Sequence, residues 1–259
     1  QFVLGAYAGT AVVAVFAVAV QLETMHMSFS TAISGVFLPK VTAMTVHESD
    51  GKAISDLFIK TGRIQYCIMI LVLSGFILFG RQFLHVWAGE GYEDAYTIAL
   101  LFFVPMTVPL IQNLGITILQ ARNQMKFRSL LYLGISLCSL VAQIPLSKYF
   151  GGIGCAIAVA SALFLGQIIV MNVYYQVCQK INIVRFWFEI VKMSFVPVVL
   201  TVVAYNVLQN FVLDSAIKLI TAIVAYLVVY LPLFFAISMN AYERSLILNP
   251  LKKMCRFVK

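Results

Sequence analysis

The sequence predicts an all-α polytopic membrane bundle of about seven full spans preceded by a short N-terminal stub. Three observations predict it. The 259 residues are 62% hydrophobic and 11% charged, with a mean hydropathy of +0.96, more apolar surface than a soluble domain of this size covers with polar groups. The apolar residues gather into runs long enough, at ~1.5 Å per residue, to cross a ~30 Å hydrocarbon layer. The Lys and Arg residues alternate between rich and poor connections.

The stub is residues 1–8, broken by Gly9-Thr10. The chain opens inside an apolar segment, with no initiator Met and no charged leader with a cleavage site. It therefore reads as the C-terminal fragment of a longer membrane protein.

Span two, 12–44, is apolar with a polar line through it: Gln21, Glu23, His26, Ser28, Ser30, Thr31 and Ser34. Glu23, His26, Ser30 and Ser34 share one helical face. An ionisable side chain at that depth is costly against lipid, so this face is expected to meet protein or a wet cavity. Lys40 ends the span at its rim. The next segment, 46–65, carries Ile54, Leu57, Phe58 and Thr61 at helical spacing and reads as a surface helix leading into span three, 66–84. The loop that follows holds Trp87, Glu90, Glu93 and Asp94, with its carboxylates expected to be solvated.

Span four, 95–121, contains Pro105 and Pro109 one turn apart, followed by Gln112 and Asn113. The prolines kink the helix and free carbonyls that a neighbour must satisfy. The two amides either line a polar path there or satisfy those carbonyls. Span five, 129–146, leads through a glycine-rich turn to span six, 154–177. Its Gly154, Ala158, Ala162 and Gly166 form a small-residue stripe suited to close helix packing. An amphipathic linker, a span at 193–212 with Pro197, a span at 216–239 with Pro232 and a basic tail complete the chain.

Connections taken alternately divide the 18 Lys and Arg unequally: one set holds only Arg81, Lys148 and Lys218, the other the remaining fifteen. The rich set, which includes Arg63, Arg122, Arg128 and the C-terminal tail, is expected in the cytoplasm, serving as topology and head-group anchors. The five cysteines are scattered through apolar segments without metal-ligand spacing, and read as small buried hydrophobes. No phosphate-binding glycine loop, nucleophile elbow or metal-ligand cluster is present in the sequence. The basic residues form short loop clusters rather than a nucleic-acid-binding stripe.

Four stretches, in order, carry a resemblance. Residues 4–21, LGAYAGTAVVAVFAVAVQ, are similar to the "LG…GT.AVA.YA.A.Q" stretch of bacterial polysaccharide flippases. Residues 31–40, TAISGVFLPK, resemble their "S.A.SGV.LPK" helix end. Residues 86–95, VWAGEGYEDA, look like their "WlG..Y..A" loop, and 151–156, GGIGCA, like their "yGi.GaAi" turn. These O-antigen and polysaccharide flippases belong to the multidrug/oligosaccharidyl-lipid/polysaccharide exporter superfamily.

The resemblance implies the second lobe of a two-lobe flippase with two extra C-terminal helices, the first lobe missing. It implies a second-lobe bundle over 1–180, a cytoplasmic amphipathic linker over 181–192, the additional spans over 193–239 and a basic cytoplasmic tail over 240–259. The implied activity is transport rather than enzymatic catalysis. It is the flipping of undecaprenyl-diphosphate-linked oligosaccharide across the bacterial cytoplasmic membrane by alternating access, for surface polysaccharide synthesis. Gln21, Glu23, His26, Ser30, Ser34, Gln112 and Asn113 would line the substrate path, Lys40 its cytoplasmic rim, and Pro105 and Pro109 the kinks. Each has a packing reading too: Glu23 and His26 as a satisfied interior pair, Ser30 and Ser34 back-bonded to their own helix, Lys40 as a plain anchor. The expected partners are the lipid-linked oligosaccharide, membrane lipids, the missing lobe, and a polymerase and glycosyltransferases of the same pathway. No cofactor, metal or nucleic acid is expected. An ion-coupled multidrug exporter of the same superfamily is the alternative, and a membrane glycosyltransferase or a non-transporting structural subunit are more distant ones. On the flippase reading the polar line of span two faces the missing lobe.

Overall fold

The computed structural model describes residues 4–5, 9–46, 51–209, 211, 215–246 and 248; over 32–46 only the backbone and Ala43 are described. The described residues form helices and no strands. Among them, six helices are long and apolar enough to cross a membrane.

Helix α1 spans Thr10–Val46, entered through Gly9 at φ 82°. Most of the expected stub, residues 1–3 and 6–8, lies outside the described residues. Helix α2 spans Gly51–Trp87 without interruption. The expected surface helix is thus the first part of a membrane-length helix, and it is not a surface element. Ile54, Leu57, Phe58 and Thr61 do share a face, but that face is buried inside the bundle. Phe58 packs on Tyr175 and Phe186, with ring centroids 5.8 and 5.1 Å away.

Helix α3 spans Glu93–Ile111 and α4 Leu114–Ala121. The two replace the single kinked span expected over 95–121. Pro105 and Pro109 stay inside α3, and the break comes at Gln112–Asn113, just beyond Pro109.

Helix α5, Met125–Leu163, turns back on itself at Gly151, whose φ 54° and ψ −131° are not helical. The reversal brings Cys155 Sγ to 3.3 Å from Gln143 Oε1, where a straight helix would hold them about 18 Å apart. With the hairpin counted as two passes, the six helices make the seven expected. The small-residue stripe sits in the hairpin seam. A Cβ on Gly154 would lie 2.1 Å from the Leu146 carbonyl oxygen, and one on Gly166 2.2 Å from Ile135 Cδ1. The second arm passes through a π-helical turn, Phe164–Val170, into α6, Met171–Val177.

Helix α7 spans Ile183–Leu208. The expected amphipathic linker over 181–192 is mostly the start of this helix, because Phe186, Ile190 and Met193 bury against α2. Asn182 caps it, accepting from the Arg185 N–H at 2.9 Å. Helix α8, Ala216–Leu233, ends in a π-helical turn, Phe234–Ser238.

The bundle exposes rows of large apolar side chains. Leu130, Leu133, Leu137 and Leu140 form such a row on α5, and Val184, Val191, Phe195 and Val202 one on α7. On an isolated soluble protein such rows would mark binding or aggregation; on a membrane bundle they are the lipid face.

Candidate functional site: the two faces of helix α1

Helix α1 has a closed face and an open one, and both carry polar groups. The closed face holds His26 and Ser30, almost fully buried against α3. The His26 ring stacks on Phe103, with centroids 4.3 Å apart and planes 8° from parallel. Its Nε2 lies 3.5 Å from Thr107 Oγ1. Thr107 donates its own hydrogen to the Phe103 carbonyl at 2.7 Å, which assigns the His26 Nε2 the donor role. Nδ1 has no hydrogen-bond partner among the described residues.

One turn on, Ser30 donates to the Leu110 carbonyl at 2.7 Å. That carbonyl lies in the last turn of α3, just before the Gln112–Asn113 break, and also accepts from the Asn113 N–H at 3.4 Å. Gln65 Nε2 approaches Ser30 Oγ at 3.4 Å from α2. Ser30 thus ties three helices together rather than bonding to its own helix. His26 and Ser30 thus face inward against α3 rather than outward to a missing lobe, whereas Gln21, Ser28 and Thr31 of the same polar line are exposed. Glu23, one turn before His26, is only half-buried. The side chains of Ser34 and Lys40 lie outside the described residues.

The open face carries Gln21, Ser28 and Thr31 of the polar line, which the sequence did not separate from the closed face. Ala14, Ala17, Gln21, Thr24, Ser28 and Thr31 are all exposed, and their spacings of three and four put them on one stripe. Thr24, Ser28 and Thr31 donate back to carbonyls of their own helix, which leaves hydroxyl lone pairs on the surface. Gln21 is the one path candidate placed fully on this face. Single exposed polar side chains occur on other membrane-length helices, among them Ser136, Ser161, Asn206 and Thr221, but the four on α1 follow one another along a single stripe. The signal that could have found it was the same seven-residue spacing, read one residue round from Glu23.

Of the two amides after the prolines, Gln112 is buried and donates to Asn172 Oδ1 at 2.8 Å. Asn172 also accepts from Trp187 Nε1 at 3.0 Å and donates to the Ile168 carbonyl at 2.6 Å, within the π-helical turn. Gln112 therefore joins the α3–α4 break to the hairpin and to α7. Asn113 opens α4 and is half-buried.

Arg63, expected as a head-group anchor, is buried instead. Its Nε and Nη2 meet Glu243 Oε1 and Oε2 at 2.6 and 3.0 Å, and its Nη1 meets Glu189 Oε2 at 2.8 Å. Glu243 also accepts from the Asn240 N–H, and its own N–H donates to Asn240 Oδ1, both at 2.9 Å. This capping box starts a short helix over 241–246. The arginine thereby locks α2 to α7 and to the chain after α8. Arg122 plays a smaller part of the same kind, reaching Gln179 Oε1 at 2.8 Å.

A cavity of about 720 Å³ lies between α7 and α8. Leu200, Val203, Val207, Ala222 and Tyr226 make it apolar, and it contains none of the path candidates. No group of three or more His, Cys, Asp or Glu side chains among the described residues is placed to hold a metal ion. Comparison with protein-family models, with curated proteins and with solved structures gave no match to this chain.

Proposed function

We propose that the chain is the second lobe, with its extra helix pair, of a bacterial lipid-linked oligosaccharide flippase. In this reading it resides in the cytoplasmic membrane with its C-terminus in the cytoplasm, as the distribution of Lys and Arg favours. It moves an undecaprenyl-diphosphate-linked sugar to the outer leaflet by alternating access against a first lobe, without catalysing a reaction.

The observation that carries the reading is the exposed Gln21, Thr24, Ser28 and Thr31 stripe on a membrane-length helix. Amide and hydroxyl groups are unfavourable against lipid, so such a stripe is suited to a polar path or a partner lobe. A sugar-diphosphate head group needs that kind of wall, while its lipid tail stays in the bilayer. The four sequence motifs support the same reading. The break after Pro109 supplies an adjoining helix, α3, that ends in mid-bundle. The polymerase and glycosyltransferases of the same pathway are the expected partners.

Half-buried Glu23 favours the alternative, an ion-coupled multidrug exporter. One experiment separates the two. The full-length protein is reconstituted in liposomes with a fluorescent undecaprenyl-diphosphate oligosaccharide. Movement of the label between leaflets is expected. Its absence, together with cation-dependent extrusion of an organic dye, would replace the flippase by the exporter.

A further inference from the structure

We propose that the cleft where α2 hands over to α3 is a carbohydrate subsite, taking a single sugar ring. The inference rests on the flippase reading only for which sugar arrives there; the cleft itself is argued from its own geometry.

The cleft encloses about 240 Å³ and is lined by Arg81, His85, Tyr92, Glu93, Asp94 and Thr97, with Leu84 and Tyr96 behind them. It lies at the opposite end of α2 from the Arg63 cluster. That volume is below the range of about 300–1,000 Å³ that drug-sized ligands occupy. Gly89 and Gly91, both at φ 89°, make the tight loop at its edge. Gly89 lines the cleft, and a Cβ there would meet nothing within 4 Å.

The polar groups are arranged but unspent. The Arg81 guanidinium lies 5.0 Å from the centroid of the Tyr96 ring, a cation–π contact. Tyr96 is itself held, donating its hydroxyl to the Ile77 carbonyl at 2.9 Å. Among the described residues, no ion pair joins Arg81 to Glu93 or Asp94, although all three line the same small space.

The mixture of charges selects the ligand. A phosphate would meet two carboxylates, and a metal cation would meet a fixed guanidinium. A sugar suits both walls, because each hydroxyl donates and accepts. Its hydroxyls can donate to Glu93 and Asp94 and accept from Arg81, and its C–H face has Tyr92 beside it.

The cleft also connects with the open face of α1. A second cavity, of about 380 Å³, shares Tyr92 and Asp94 with it and is lined by Ala11 and Ala14. Ala14 begins the stripe that continues through Gln21 to Thr31. A head group moving along that stripe would reach Asp94 at the end of it.

The test is saturation-transfer NMR on the full-length protein in detergent, with free N-acetylglucosamine, galactose, glucose and rhamnose as probes. Transfer to at least one sugar is expected, lost in both Arg81→Gln and Asp94→Asn. It should be retained in Glu90→Gln, on the same loop but outside the cleft. Melting curves confirm that each variant is folded; should one not be, Thr97→Val takes its place. The proposal is overturned if no sugar shows transfer, or if transfer survives both cleft variants. Binding is read here without translocation, so a wild-type protein that binds sugar but flips no lipid would sink the flippase reading and leave the cleft standing.

Discussion

Arg63 and Glu243 form a two-bond ion pair, with Nε–Oε1 at 2.6 Å and Nη2–Oε2 at 3.0 Å, between residues 180 positions apart. Both side chains are buried. Glu189 joins the cluster from α7, but its side chain is 32% exposed. Removing one member of a buried pair strands the other and costs about 3–5 kcal/mol, whereas an exposed pair contributes about 0–1 kcal/mol. Chemical denaturation of purified protein should therefore rank Arg63→Met as most damaging, Glu243→Gln next and Glu189→Gln nearly silent. Equal losses for Glu189→Gln and Glu243→Gln would show that the bidentate geometry does not matter.

The hairpin at Gly151 makes a second stability prediction. Gly154→Ala places a methyl 2.1 Å from the Leu146 backbone oxygen, and backbone cannot swing aside as a side-chain tip can. Gly75→Ala, in α2, meets nothing within 4 Å and gains helix propensity by up to about 1 kcal/mol. Thermal melts in detergent should show a marked drop for Gly154→Ala and none for Gly75→Ala. Similar melts for the two would mean the arms of the hairpin are not in close contact.

Ser30→Ala removes the hydroxyl that α1 donates to the Leu110 carbonyl, which keeps the Asn113 N–H at 3.4 Å. Loss of one such hydrogen bond costs about 0.5–1.5 kcal/mol. His26→Ala removes a buried ring stacked on Phe103 and should cost about 2–5 kcal/mol, as other large-to-small core changes do. Both variants should melt early, and expression-corrected transport should fall with stability. Unchanged melting for His26→Ala with complete loss of transport would return His26 to the substrate path.

The membrane class, the number of passes and the hairpin's small-residue seam were legible in sequence because each rests on composition and periodicity. Lipid imposes a near-binary rule on which side chains a span can carry. What was not legible was partnership. Arg63 reads as a loop cation until Glu243, far along the chain, is folded onto it. The face of α1 that closes depends on where α3 breaks, and Ser30 has no local reason to prefer Leu110 over its own helix. Residues 183–192 alternate like a surface helix, yet Phe186 buries because Gly62 leaves room for its ring, which a Cβ there would meet at 2.4 Å. Polar side chains in spans were found correctly as unusual, but their direction came from tertiary contacts.

The direction of the open stripe gives the last prediction. In a cysteine-free background of the full-length protein, Thr24→Cys and Ser28→Cys place thiols on the stripe. Val198→Cys and Val202→Cys place them on the exposed apolar row of α7. A thiol must ionise to react with a maleimide, and ionisation needs water. Membrane-impermeant maleimide should label positions 24 and 28 and leave 198 and 202 unmodified, since lipid excludes both the reagent and the thiolate. Adding the lipid-linked oligosaccharide should slow labelling at 24 and 28 by competing for the same wall. Equal protection at all four positions would place α1 against lipid and remove its stripe from any substrate path. Labelling at 24 and 28 that the oligosaccharide does not slow would keep the stripe wet but assign the sugar another route.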